Sequence, residues 1–247
     1  MGSRRLPSGE SGRAGATPLQ LPLMRRLADN LWIIRYPQSL LGMQVGRTVT
    51  VIRLNSGELV IHSTGPFSPS DVAAIRERNR PAMIVEATLF HHTFSKHGLA
   101  AFPGIPCAAP EGFAGATAPM SILAEKWPGE LAVLELAGMP KLREHVLLHR
   151  PTRTLIVADL VFNFGPSATA WTRFFFRRVS GIREYPGVSR LFRSLIRDRA
   201  AFIRGIDQLL AWDFDRVVVA HGDIIETGGR AQLQRALAKH GLCSSRT

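Results

Sequence analysis

The chain lacks any run of about 18 apolar residues, the length an α-helix needs to cross a bilayer. A secretory signal is also missing, because Arg4 and Arg5 are basic but Ser8 to Gly15 supply no apolar segment. Cysteine is scarce. Cys107 and Cys243 stand far apart and form no CxxC unit, so neither a disulfide framework nor a thiolate zinc site is indicated. There is no repeat of fixed period, zinc finger, RNA-binding aromatic motif or basic helix leading into heptads. These absences lead to the expectation of a soluble protein in a reducing, cytoplasmic compartment.

What is present suits one large domain. The 247 residues are 45% hydrophobic, enough for a substantial core. The net charge of +12 is carried mainly by arginine, as base composition of a genome alone can produce, and gives no strong nucleic-acid signal. Residues 1–25 are rich in Gly, Ser, Arg and Pro and read as a disordered basic arm, with a cleaved targeting segment as the alternative. The domain is expected over 26–241, followed by a tail at 242–247.

Strand patterns occur at Leu31–Tyr36, Thr48–Leu54, Glu58–His62, Met83–Glu86, Cys107–Ala109, Leu131–Leu136, Glu144–Leu148, Thr154–Asp159 and Arg216–Ala220. Asn55-Ser56-Gly57 predicts a hairpin turn, and Ser68-Pro69-Ser70-Asp71 predicts a helix start. The segment 168–212 reads as mainly helical, broken around Gly181 to Gly187, and Arg230 to His240 reads as a closing helix. This order suits two packed sheets with helices outside.

Three apolar strands end in metal-capable side chains: Ile84 to His92, Leu155 to Asp159, and Val217 to Asp223. An ionisable group at such a tip must pair, bind metal or face solvent. Histidine and carboxylate donors suit zinc or iron. Taken singly, each has a structural reading as a hydrogen-bonded histidine or a turn-capping aspartate.

Together these segments resemble the metallo-β-lactamase superfamily over roughly residues 30 to 240. Leu59-Val60-Ile61-His62-Ser63-Thr64-Gly65 is similar to the family's early strand and turn, with His62 where an acid is usual. Ala87 to His92 resembles the HxHxDH loop, Thr154 to Asp159 the strand bearing the bridging aspartate, and Ala220-His221-Gly222 the strand end bearing the last histidine. More narrowly, the chain resembles a branch with a Trp near the start, a His-His pair and a terminal HGD.

The resemblance implies a four-layer αββα sandwich and a metal-dependent hydrolase-like activity. The departures narrow the site. Ala87 and Leu89 stand where the first two histidines belong, His91 takes the aspartate position, and Met139 of Gly138-Met139-Pro140 replaces another ligand. A reduced, mononuclear site of His91, His92, Asp159 and His221 is expected, holding one zinc or iron ion. A catalytically inactive binding or scaffold protein with no ion is the alternative. His62, Thr88, Glu144, Asn163 and Asp223 are expected to support this site, while His97 and His149 read as surface residues. The substrate is an unidentified small molecule. The Arg- and Phe-rich stretch 171–204 suggests peripheral membrane contact, a cover over the site mouth, or helices burying their apolar face, with Phe192, Leu195 and Ile196 spaced as a buried stripe. Its apolar surface also suggests a homodimer.

Overall fold

The computed structural model describes residues 24–166 and 168–244. The greater part of the expected basic arm and the end of the tail, 245–247, lie outside the described residues. The first sheet orders its seven strands as β1 (Arg25–Ala28), β2 (Leu31–Tyr36), β5 (Arg47–Arg53), β6 (Leu59–His62), β7 (Pro81–Val85), β8 (Cys107–Ala109) and β9 (Ala118–Pro119). The second holds β10 (Leu131–Glu135), β11 (His145–His149), β12 (Thr154–Val157) and β13 (Arg216–Val219). A small ribbon pairs β3 (Ser39–Leu40) with β4 (Met43–Gln44).

Period-two patterning explains how the sheets meet. On the inner face of the first sheet, Ile33, Ile52, Val60 and Val85 pack against Leu131, Leu147, Ile156 and Val218 of the second. The alternate residues of the first sheet, among them Ile34, Val51, Ile61 and Ile84, turn outward onto Ile75 of α1 (Pro69–Arg78) and onto Phe102 after α2 (Ser95–Ala101). The short α3 (Ile122–Lys126) sits at the edge of the sandwich, with Leu123 in the interior.

Over the outer face of the second sheet lie α5 (Arg190–Leu195), α6 (Arg199–Leu210) and α7 (Gly229–Ala238), contributing Phe192, Phe202, Ile206, Leu209 and Leu233. The order of layers is therefore α, β, β, α. Each fully buried Leu, Ile or Phe contributes roughly 1.5–3 kcal/mol, so the three apolar interfaces between these layers dominate stability. A satellite cluster seats α4 (Ala170–Arg178) on the ribbon through Phe176, Met43 and Val45.

Local chemistry starts α1 where the sequence indicated. Ser68 accepts from the Asp71 N–H while Asp71 accepts from the Ser68 N–H, a capping box reinforced by Pro69 in the first turn. Packing reaches close to both ends of the described residues. Arg25 and Arg26 pair with β2, Leu242 is fully buried, and Ser244 bonds to Asp207. His149, expected at the surface, is instead 1% exposed. It lies between Leu131 and Thr154 in the sheet, with its Nδ1 2.8 Å from Thr152 Oγ1.

Candidate metal centre

The tips of β7, β12 and β13 lead to one end of the sandwich. From them come His91, Asp159 and His221, whose ligand atoms all lie within 4.8 Å of one another. His91 Nε2 stands 3.4 Å and His221 Nε2 3.7 Å from Asp159 Oδ1. The two imidazoles meet edge to face at 5.3 Å, and Phe162 stacks on His221 at 5.7 Å.

Each of the three side chains is held by its neighbours. His221 Nδ1 is 2.7 Å from the Gly46 carbonyl, so it carries the proton and donates it there, leaving Nε2 with a free lone pair. The turn after His221 depends on Gly222, with φ +102° and a Cβ position only 2.2 Å from the Asn163 carbonyl oxygen. Asp159 sits on a backbone turn gripped by one carboxylate. Glu144 Oε1 accepts from the Ala158 and Leu160 N–H groups at 3.1 and 3.0 Å, and Oε2 accepts from the Asp159 N–H at 3.0 Å. The loop carrying His91 is anchored through Thr88, whose hydroxyl donates to the Leu142 carbonyl, as does the Leu89 N–H.

Of the expected ligands, the structure brings three together and leaves one apart. His92 is exposed, with Nδ1 3.4 Å from the Leu89 carbonyl, and does not belong to the group. In the loop, consecutive residues point different ways, so His91 turns inward and its neighbour turns out.

Among the expected supporting residues, Glu144 and Thr88 act as just described. Asn163 and Asp223 instead fasten the turn from behind. Asn163 donates to the Asp223 carbonyl, while Asp223 accepts from the Gly165 N–H and pairs with Arg35. His62 is buried at the end of β6, with Nε2 lacking a hydrogen-bond partner. Met139 is buried in the outer apolar cluster, in keeping with its inability to serve as an imidazole there.

One functional residue was not anticipated. Arg47, at the start of β5, is 3% exposed and lies beside the group. Its Nη2 donates to Glu86 Oε2 at 3.2 Å and its Nε to the Thr64 carbonyl. Glu86, fully buried, also accepts from the Thr64 N–H and hydroxyl. The sequence signal was Glu86 itself, a lone acid closing the buried strand Met83–Glu86, which demanded a cation. No feature of an arginine-rich chain marked Arg47 as that cation.

Electrostatics set the state of these groups. Burial, Arg47 and His91 hold the His221 imidazole down to about 4, against the pull of Asp159. Burial and Arg47 lower His91 in the same direction. Both rings are therefore neutral at pH 7. Burial disfavours the Asp159 charge, but His91, His221 and Arg47 outweigh it and bring the carboxyl down to about 2. Burial foremost, and the Asp159 charge after it, push Glu144 up to about 8, against the three N–H groups that favour its ionised form. Since Glu86 neutralises Arg47, Asp159 remains as an anion facing two neutral nitrogen donors.

These residues suit a small divalent ion. Ligand atoms about 2.0–2.1 Å from a tetrahedral ion stand roughly 3.3–3.4 Å from one another. The two separations to Asp159, 3.4 and 3.7 Å, come close to that spacing, and the two imidazoles offer ligand atoms within 4.8 Å of each other. His91 Nε2 is buried without a well-formed hydrogen bond, an orphaned donor atom that coordination would satisfy.

No protein-family model matches the chain, and no curated protein matches it. Solved structures do. A metallo-β-lactamase from Pontibacter korlensis superposes with a TM-score of 0.58 at 14% identity, over 88% of this chain and 97% of that one. The metallo-β-lactamase FIM-1 from Pseudomonas aeruginosa, solved in its mono-zinc form, gives 0.60 at 12% identity over 90% and 96%. A metallo-β-lactamase from Erythrobacter litoralis gives 0.60 at 12% identity over 87% and 90%. Likeness along nearly the whole length of each establishes that this chain has the metallo-β-lactamase fold.

Proposed function

We propose that the protein is a metal-dependent hydrolase with a reduced, mononuclear centre, in which His91, Asp159 and His221 hold one zinc or iron ion. The observation that carries this reading is the convergence of three ligand atoms at one sandwich end, where the buried His91 nitrogen has only a long approach of 3.4 Å to Asp159. Three protein donors with a position left open is the pattern of a catalytic rather than a structural zinc site. An ion there supplies Lewis acidity toward a carbonyl or phosphoryl oxygen and makes water acidic enough to attack near neutral pH.

The chain's own residues do the rest. His221 is fixed in one tautomer by Gly46, and Glu144 fixes the approach of Asp159. Arg47 Nη1 makes no hydrogen bond among the described residues, and its side chain lines the same cavity as the three ligands. It can receive a negatively charged oxygen of the substrate. Arg47, His91 and His221 are themselves buried, and a low local dielectric strengthens each of these interactions. The free cysteines Cys107 and Cys243 agree with a cytoplasmic location.

Elemental analysis of protein purified from medium containing zinc and iron tests the proposal. About one ion per chain is expected, falling below a tenth of that in the His91→Ala, His221→Ala double variant. Wild-type protein free of metal after reconstitution, or a double variant that retains it, refutes the assignment and favours an inactive binding protein on this fold.

A further inference from the structure

The metal centre lies at the floor of a cavity of about 390 Å³. Beside Arg47, His91, Asp159 and His221 the walls are mostly apolar, with Met43, Val45, Phe162, Phe176, Phe192 and Leu195 among them and Gln38, Thr93, Ser180 and Ser189 as the polar exceptions. This shape accepts a hydrocarbon chain and brings a polar group at its end to the ligands.

The surface around the mouth has an unusual composition. Among the described residues, the exposed large apolar side chains are Leu40, Leu41, Phe90, Trp171, Phe174, Val179 and Leu191. Leu40, Leu41, Phe90 and Leu191 line the mouth. Trp171 donates its indole N–H to the Leu41 carbonyl, Phe174 stacks on Trp171, and Val179 follows the end of α4. All seven therefore gather at one opening and its flanking helix. Scattered singly they would mean little, but gathered they mark an interaction surface.

Charge identifies what that surface meets. Between Asp159 and Asp198 the sole acid is Glu184, which is already paired with Lys239. Over the same stretch Arg173, Arg177, Arg178, Arg183, Arg190 and Arg197 are exposed, and none pairs with an acid among the described residues. Apolar tips on a stretch of chain rich in exposed, unpaired arginines are complementary to a bilayer surface rich in anionic headgroups.

We propose that the mouth docks on an anionic lipid surface and that the cavity draws in an acyl chain from it, presenting the lipid's ester bond to His91, Asp159, His221 and Arg47. Identifying the lipid as substrate rests on the metal-hydrolase reading, whereas docking does not. Hydrolysis is then redox-neutral. Water's oxygen bonds to the acyl carbon, the acyl carbon–alkoxy bond breaks, and the departing oxygen takes a proton from that water.

Flotation of the full chain with phosphatidylglycerol-rich vesicles, and with pure phosphatidylcholine vesicles, tests the docking. Wild type is expected to float with the anionic vesicles alone, and added salt should weaken it. A Leu41→Asp, Trp171→Asp variant should lose on the order of tenfold in partitioning, since a charge replaces each apolar tip. Its circular dichroism and metal content should match wild type, because both side chains are exposed. Fluorescent parinaric acid should brighten on binding wild type and be displaced by oleate.

The His91→Ala, His221→Ala variant separates the two readings, because it should lose metal yet still float. Three results would overturn the proposal: no flotation of wild type, flotation undiminished in the Leu41→Asp, Trp171→Asp variant, or parinaric acid that stays dark. A stable dimer dissolved by that same variant would also overturn it, by assigning the surface to a second copy.

Discussion

Replacing Glu144 by alanine deletes the one carboxylate that closes the turn bearing Asp159. Three backbone N–H groups, of Ala158, Asp159 and Leu160, then lose their acceptor inside a region with no exposure at Glu144. An unsatisfied buried donor costs about 1–3 kcal/mol, so the three together cost roughly 3–9 kcal/mol. Against a typical total of about 5–15 kcal/mol, Glu144→Ala is expected to fold poorly or not at all. Glu144→Gln keeps an oxygen for Ala158 and Leu160 and, because burial holds the acid up to about 8, removes little charge at pH 7, so only the Asp159 N–H loses its acceptor and a smaller loss of about 1–3 kcal/mol follows. Urea unfolding measures both, the shift appearing in the midpoint with the slope unchanged. A Glu144→Ala protein within about 1 kcal/mol of wild type would refute the claim that this carboxylate holds the turn.

His92→Ala should leave metal content unchanged by elemental analysis, since that ring is exposed and outside the group. Glu86→Ala strands the buried Arg47 charge and is expected to cost about 3–5 kcal/mol in urea unfolding. Gly222→Ala must fit a methyl group 2.2 Å from a carbonyl oxygen at φ +102°, and should lower metal occupancy together with stability, by about 1–3 kcal/mol. Burial holds His149 down to about 4, below the unfolded 6.5. The unfolded chain therefore gains its proton first as pH falls, and stability drops through the window from 6.5 to about 4. From pH 7 to pH 5 this amounts to about 2 kcal/mol, which His149→Asn should remove from the pH profile of urea midpoints.

The sequence disclosed the larger architecture because long apolar strands and capped helices carry their own periodicity. Val217–Val219 and Leu155–Val157 could hardly be anything but buried strands, and the hairpin at Asn55-Ser56-Gly57 has its turn chemistry written in. Some short elements escaped, including the ribbon β3–β4 and the helix α2, since such pieces are fixed by tertiary contacts. Gly98 in α2 packs so closely on Thr64 that a Cβ would fall 2.4 Å from its side chain, a relation no local pattern reveals. At the site, ligand types were legible but orientation was not. Adjacent histidines look equivalent in one dimension, and only the loop's path separates His91 from His92. Arg47 and Glu86 are 39 residues apart, and their pairing depends on the neighbouring positions of β5, β6 and β7 in the first sheet.

The Thr48 N–H donates to the Ala220 carbonyl at 3.0 Å, beside the bond from His221 to Gly46, so the two sheets are stitched together at the mouth end. An ion gripping His91 from one sheet and Asp159 and His221 from the other would act as a rivet through that seam. Its capture reports that both halves of the chain have found each other, and each decade of ion concentration above its dissociation constant adds about 1.4 kcal/mol against their separation. Metal supply would in that way govern the lifetime of the whole molecule as well as its chemistry.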